Sequence, residues 1–221
     1  MYVYIYVVKA FQYFPSRIDT VWIVGDSIIR WAATHILETG PPEDPDFKLG
    51  LKVVDVCWKG RGGRRLTHFA EDFKYMCQGS RKLPSVILLH LGTNDIMNSP
   101  IQSLQWSFQQ CIHLINSLII RPTIIFSEIL PRLYYKGARD EKRVERLRKT
   151  INRRFRALLG RCGGHVIRHP GFTQQQVNLY REDGVHLSSQ GNVLFLKDLE
   201  GGLRYFQLYP QFFAFPPIPK H

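Results

Sequence analysis

Val21-Trp22-Ile23-Val24-Gly25-Asp26-Ser27 is the stretch on which the reading of the chain turns. An apolar run ends at Gly25-Asp26-Ser27, and a new apolar pattern begins at Ile28 and Ile29. The run predicts a buried strand, the Gly-Asp-Ser a tight turn, and the residues beyond it a helix. Ser27 then lies where the strand ends and the helix begins. Its backbone N–H points into the positive end of the helix dipole, which suits a nucleophile whose reaction builds negative charge on a carbonyl oxygen. Taken alone, the tripeptide reads as a helix cap made by Asp26 or Ser27. The rest of the chain decides between the two.

Working outward, the first helix is expected over residues 28–37, stopped by Gly40-Pro41-Pro42. Residues 43–50 are polar and read as a loop. A second, β-branched strand is expected over 53–56, followed by a glycine-rich turn, Lys59-Gly60-Arg61-Gly62-Gly63. Leu66, Phe69, Phe73 and Met76 recur at helical spacing. Residues 86–91 form a continuous apolar run, which marks a strand buried on both faces, and it ends at Gly92-Thr93-Asn94-Asp95. A helix over 101–120, a strand over 123–126 and a long basic helix over 139–159 follow. Val144, Leu147, Ile151, Phe155 and Leu158 line one face of that last helix, so its charges fall on the other. A fifth strand is expected over 165–167. A loop then leads to Asp183-Gly184-Val185-His186, and a helix starts at Ser188 or Ser189.

Strands alternating with helices predict an α/β fold, a mainly parallel five-stranded sheet with helices on both faces. Residues 1–20 read as an N-terminal extension, 21–205 as the folded domain and 206–221 as an aromatic, Pro-rich tail. The length of 221 residues and the 44% hydrophobic content suit one globular domain and exclude a disordered chain. No apolar run approaches the roughly 18 residues of a bilayer span, and residues 1–8 lack the basic flank of an export signal. Cys57, Cys77, Cys111 and Cys162 show no C-x-x-C spacing, so the expectation is reduced thiols in an intracellular, cytoplasmic protein. The net charge of +12 permits anionic substrates, nucleic acid or an acidic membrane surface as partners.

In parallel sheets ligands sit beyond the carboxyl ends of the strands. The chemistry-bearing residues fall there: Ser27 after the first strand, Gly60 to Gly63 after the second, Asn94 after the third, and Asp183 with His186 near the end. Cleavage of an ester by serine needs a hydroxyl, a base, an orienter for the base and donors for the oxyanion. Ser27 supplies the hydroxyl, His186 the base and Asp183 the orienter. The Ser27 and Gly63 backbone N–H groups and the Asn94 amide supply the donors, each worth about 2.7–4 kcal/mol in a transition state.

These blocks resemble the SGNH hydrolase superfamily, the GDSL-type esterases and lipases. The first block is Gly25-Asp26-Ser27-Ile28, with Ile where Leu is usual. The second is Gly60-Arg61-Gly62-Gly63, the third Gly92-Thr93-Asn94-Asp95 and the last Asp183-Gly184-Val185-His186, continued by Leu187-Ser188-Ser189-Gln190-Gly191. The resemblance covers about residues 21–203. It implies a flavodoxin-like three-layer α/β/α sandwich and a serine hydrolase with no metal or other cofactor, acting on acylated small molecules. A narrower resemblance, carried by the basic character and the turn 58–63, is to esterase-type domains of vertebrate genomic and retroelement open reading frames.

Arg64 and Arg65 stand where the family often has small or acidic residues. With Arg61 they form a cluster beside the proposed oxyanion loop, which reads either as solvated surface or as substrate-binding, with one of the three recognising a substrate carboxylate or phosphate. His90, inside the third strand, reads as a buried core histidine, and Asp26 and Asp95 as local structure. The basic run 139–156 reads as a solvated helix face. The alternative to an esterase is a binding module on the same fold, catalytically weak or inactive, whose basic surface holds a polyanion such as RNA. No RNA- or DNA-binding signature accompanies it.

Overall fold

The computed structural model describes residue 15, residues 18–40 and residues 53–216; the loop expected at 43–50, most of the expected N-terminal extension and residues 217–221 lie outside them. The decisive stretch forms β1 (Ile18–Gly25) and then α1 (Ser27–Thr39). The apolar run is continuous because both strand faces are covered. Val21 and Ile23 join one core cluster, Trp22 and Val24 the other. β2 (Val53–Gly60) runs further than expected, so Lys59 and Gly60 end a strand and the turn proper is Arg61 to Arg64.

A short 3-10 turn, Leu66–His68, precedes α2 (Phe69–Gln78). β3 (Val86–His90), α3 (Ile101–Leu118), β4 (Thr123–Ser127), α4 (Glu141–Arg161) and β5 (His165–Ile167) follow, close to their expected places. α5 (Ser189–Leu208) is capped by the Ser188 hydroxyl, which accepts from Gly191 N–H. The sheet order is β2-β1-β3-β4-β5-β6, and every neighbouring pair is parallel. The sixth strand, β6 (Ala214–Phe215), comes from the stretch expected to be a tail. It pairs with β5 through Val166–Ala214 and Ile167–Phe215.

α1 and α5 pack on one sheet face; α2, α3 and α4 cover the other. In the second layer Phe155 of α4 stacks on Phe108 of α3 with ring centroids 4.1 Å apart. Truncating such a buried ring to alanine costs about 3–5 kcal/mol. α4 departs from the expected solvated polar face at one point. Arg148 is buried, pairs with Glu145 and donates to the Ile129 carbonyl, while Asn152 bonds both the N–H and the C=O of Ile129. The basic helix thereby grips the segment that leaves β4.

Candidate active site

Gly25 and Gly60 stand opposite each other in the β1–β2 register, at the carboxyl ends of both strands. A Cβ on Gly25 would lie 2.2 Å from Ile29 Cγ1, and one on Gly60 2.3 Å from the Arg30 backbone N. Only glycine lets α1 begin this close above the strand ends. The Asp26 carboxylate accepts from Ile28 N–H at 2.9 Å and caps α1. Its first residue is Ser27, whose N–H is among those a helix leaves without an internal partner. Burial pushes the Asp26 carboxyl above its ordinary value, opposed by the Ile28 N–H and the Arg132 charge.

His186 reaches Ser27 from the loop before α5. Its Nε2 lies 3.0 Å from Ser27 Oγ, and its Nδ1 lies 2.7 Å from Asp183 Oδ2. The carboxylate fixes the proton on Nδ1, which leaves Nε2 to accept from the serine hydroxyl. The other Asp183 oxygen accepts from the backbone N–H groups of Val185 and His186, each at 2.8 Å. Burial alone would raise the Asp183 carboxyl. The hydrogen bonds from the His186 ring and from the His186 and Val185 backbone outweigh it and hold the carboxyl below its ordinary range. The loop is anchored by Leu133 N–H, which donates to the Gly184 carbonyl at 2.8 Å.

Gly63 occupies the third position of the turn closed by Arg64 N–H donating to Arg61 C=O, with φ +68°. That left-handed conformation is what calls for glycine there. Asn94, half-buried, donates through Nδ2 to the Arg64 carbonyl at 3.1 Å and accepts at Oδ1 from Arg132 at 3.0 Å. Both contacts fix the amide orientation, and the second Nδ2 hydrogen remains for another acceptor. Asp95 accepts from Leu66 N–H with both oxygens, tying the third block to the segment after the second.

The arginine cluster divides. Arg64 is buried and turned away from the turn's open side. It bonds Asp72 and the carbonyls of Gly25 and Lys59, so it clamps the serine turn to the glycine turn. Its Nε and Nη1 are thereby engaged inside the protein. Arg61 is exposed but paired with Asp72. Arg65 is exposed and lines a cavity with Gly63 and Asn94.

Among solved structures, the chain resembles a GDSL-like lipase from Bacteroides thetaiotaomicron, at 16% identity and TM-score 0.64, covering 84% of this chain and 88% of that one. It is similar to a psychrotrophic esterase from Pseudoalteromonas sp., at 15% identity and TM-score 0.64, over 85% of this chain and 98% of that one. A carbohydrate esterase of family 3 from Talaromyces cellulolyticus matches at 17% identity and TM-score 0.60, over 86% and 98%. The chain has the SGNH hydrolase fold. No protein-family model matches the sequence, and no curated protein matches it.

The SGNH fold therefore stands on geometry, with the four blocks gathered at one sheet edge. Sequence reading missed two residues at that edge. Arg132 follows β4 and bonds Asn94, with Asp26 and Asp183 close enough to act on its charge. Its position just after a strand was the available signal. Trp31, one turn into α1, meets the His186 ring edge-on at 6.2 Å and carries the Arg181 guanidinium over its face at 4.2 Å. Nothing in the sequence marks it apart from an ordinary helix residue.

Proposed function

We propose that this chain is a serine hydrolase that cleaves ester bonds, with a catalytic domain that runs from β1 to β6. The observation that carries the reading is the hydrogen-bond chain from Asp183 through His186 to Ser27, at a helix N-terminus beyond the carboxyl edge of the sheet. Ser27 Oγ attacks the ester carbonyl as its proton passes to His186 Nε2. The carbonyl oxygen becomes an oxyanion, met by the N–H groups of Ser27 and Gly63 and by Asn94 Nδ2. The intermediate collapses, the C–O bond to the alcohol breaks, and the alcohol leaves with the proton from Nε2. Water then gives a proton to Nε2 and attacks the acyl-enzyme. Collapse releases the acid and returns the proton to Ser27. Asp183 holds the imidazole and offsets its positive charge throughout.

The fold neighbours described as esterases and lipases support an ester as the substrate class. The Pseudoalteromonas esterase is described as inhibited by monoethylphosphonate. A fluorophosphonate probe is therefore the direct test. Wild type is expected to label at Ser27, and Ser27→Ala and His186→Ala are expected not to. A folded wild type that takes no label would remove the hydrolase reading.

A second reading rests on α4, where Lys142, Arg143, Arg146, Lys149 and Arg153 are exposed along one helix. Such a face fits a polyanion held by phosphate contacts. Binding to heparin or an oligonucleotide should then fall steeply with salt. No binding at low salt would end that reading.

A further inference from the structure

The cavity beside the proposed oxyanion donors is unusually one-sided in charge. It measures about 470 Å³ and is lined by Gly63, Asn94, Arg65, Arg132 and Lys136, among others, with no carboxylate among the described residues of its wall. Arg65 and Lys136 are exposed, and Arg132 is half-buried. Three acids outside the wall act on these cations, and two of them are buried. Asp26 and Asp183 act on Arg132, and Asp95 acts on Arg65. Asp26 and Asp95 are both buried.

The wall is held in place. The Arg132 carbonyl accepts from Gln174, the Pro131 carbonyl accepts from the Tyr180 hydroxyl, and Leu133 N–H donates to Gly184 C=O. With Ile129 gripped by Arg148 and Asn152, the segment carrying Arg132 and Lys136 is fixed at several points. A cationic group on a fixed segment loses less freedom on binding than one on a free loop.

The position of the cavity tells which part of an ester it would receive. In the proposed reaction the departing alcohol oxygen must face His186 Nε2, and the carbonyl oxygen must face Gly63 and Asn94. Ser27, His186 and Trp31 do not line the cavity, whereas the other two oxyanion residues, Gly63 and Asn94, do. With the alcohol on the His186 and Trp31 side, the acyl chain would run toward Arg65, Arg132 and Lys136. We infer that the cavity selects an anionic acyl group, so that the preferred substrate is an ester of a dicarboxylic acid whose free carboxylate meets these cations. Guanidinium suits a carboxylate through paired hydrogen bonds. This inference rests on the esterase reading above.

The test compares 4-nitrophenyl hemiadipate with 4-nitrophenyl hexanoate. The two share a leaving group and a chain length and differ in the terminal carboxylate. Wild type is expected to favour the hemiadipate in kcat/KM by about tenfold or more at low ionic strength. The preference should shrink as salt is added. In Arg65→Gln/Lys136→Gln the ratio of the two kcat/KM values is expected to fall toward one, and free adipate should compete less well. A wild-type ratio at or below one, with the hexanoate turned over, would overturn the anionic acyl group and leave the esterase standing. A wild-type preference unchanged in the double variant would also overturn it, because the overall positive charge would then be its source. If Ser27 takes no phosphonate and neither ester is cleaved, the esterase reading fails and this one with it.

Discussion

Two serine–histidine–aspartate chains of hydrogen bonds run through the described residues of this molecule. In one, Ser27 Oγ, His186 and Asp183 are joined at 3.0 and 2.7 Å. In the other, Ser127 Oγ, His169 and Asp198 are joined at 2.8 and 2.8 Å. Judged by atoms and distances alone, the second has the shorter serine–histidine contact and the first the shorter histidine–aspartate contact. Their surroundings separate them. The His186 and Asp183 side chains are 27% and 47% exposed, whereas those of His169 and Asp198 are 3% and 18% exposed, and Ser127 is wholly buried. Ser127 Oγ also meets His90 Nδ1 at 3.0 Å, under the Phe195 ring. With Asp198 holding the proton on His169 Nδ1, the Ser127 hydroxyl donates to His169 and accepts from His90. The network clamps β3, β4 and α5 together. A hydroxyl, a base and an orienter make a structural knot unless a substrate can approach and donors await the oxyanion.

The largest expected effect separates the two serines. Ser27→Ala should lower kcat by about four orders of magnitude or more if Ser27 is the nucleophile. The labelled peptide from wild type should contain Ser27 and lack Ser127. A label on Ser127 would reverse the comparison. Next in size, Asn94→Ala removes one proposed oxyanion donor and should cost about 10²–10³ in kcat. An unchanged kcat would take Asn94 out of the reaction and leave it as the link between Arg64 and Arg132.

Acidification tests the open chain from its base. Protonating His186 Nε2 removes the acceptor for the Ser27 proton, so kcat/KM should fall about tenfold per pH unit on the acid limb. Against the effect of burial, the hydrogen bonds from the His186 ring and from the His186 and Val185 backbone hold the Asp183 carboxyl below its ordinary range, which favours the charged form that orients the imidazole. A profile with no acid-side loss would count against His186 as base.

Much of this contrast was legible in the sequence, and some was not. The strands of the central sheet declare themselves as apolar runs because helices cover both faces. Ser27, Gly63, Asn94, Asp183 and His186 each follow a strand or lead into a helix, where turn chemistry marks them. The sixth strand was hidden because Ala214 and Phe215 are too short a segment for any periodicity. Arg64 and Arg148 carry the same charge as their exposed neighbours, and only the three-dimensional path shows that Asp72 and Glu145 draw them inward. The Ser127 network was invisible for a related reason. Its members lie 42 and 29 residues apart and follow no spacing that a local pattern can reveal.

The ground under the open site also carries a cost that can be measured. Burial pushes the Asp95 carboxyl from 3.8 up to about 6, while the Leu66 N–H and the Arg65 charge pull it down. A group whose folded pKa stands above its unfolded one binds more protons in the native state. Its contribution to stability therefore falls as pH rises from about 4 to about 6 and is flat above. Asp95→Asn keeps an acceptor for Leu66 and removes the charge. Relative to wild type, it should gain up to about 3 kcal/mol between pH 4 and pH 7, read as the difference in denaturation midpoints. A constant difference across that range would mean that Asp95 is not strained by its burial.

The smallest expected effect on activity is at the sealed serine, and it closes the comparison. Ser127→Ala strips His90 Nδ1 and His169 Nε2 of their shared partner. Burial already holds the His90 ring far below the usual histidine range, to about 3, so it stays neutral and cannot regain a partner by taking a proton. Two buried ring nitrogens without partners, at about 1–3 kcal/mol each, should cost about 2–6 kcal/mol in unfolding free energy. Phosphonate labelling at Ser27 should proceed at the wild-type rate, because the knot lies beneath the sheet edge and shares no hydrogen bond with Asp183, His186 or Asn94. Lost stability with intact labelling would assign the two chains their separate roles. Intact stability with lost labelling would exchange them.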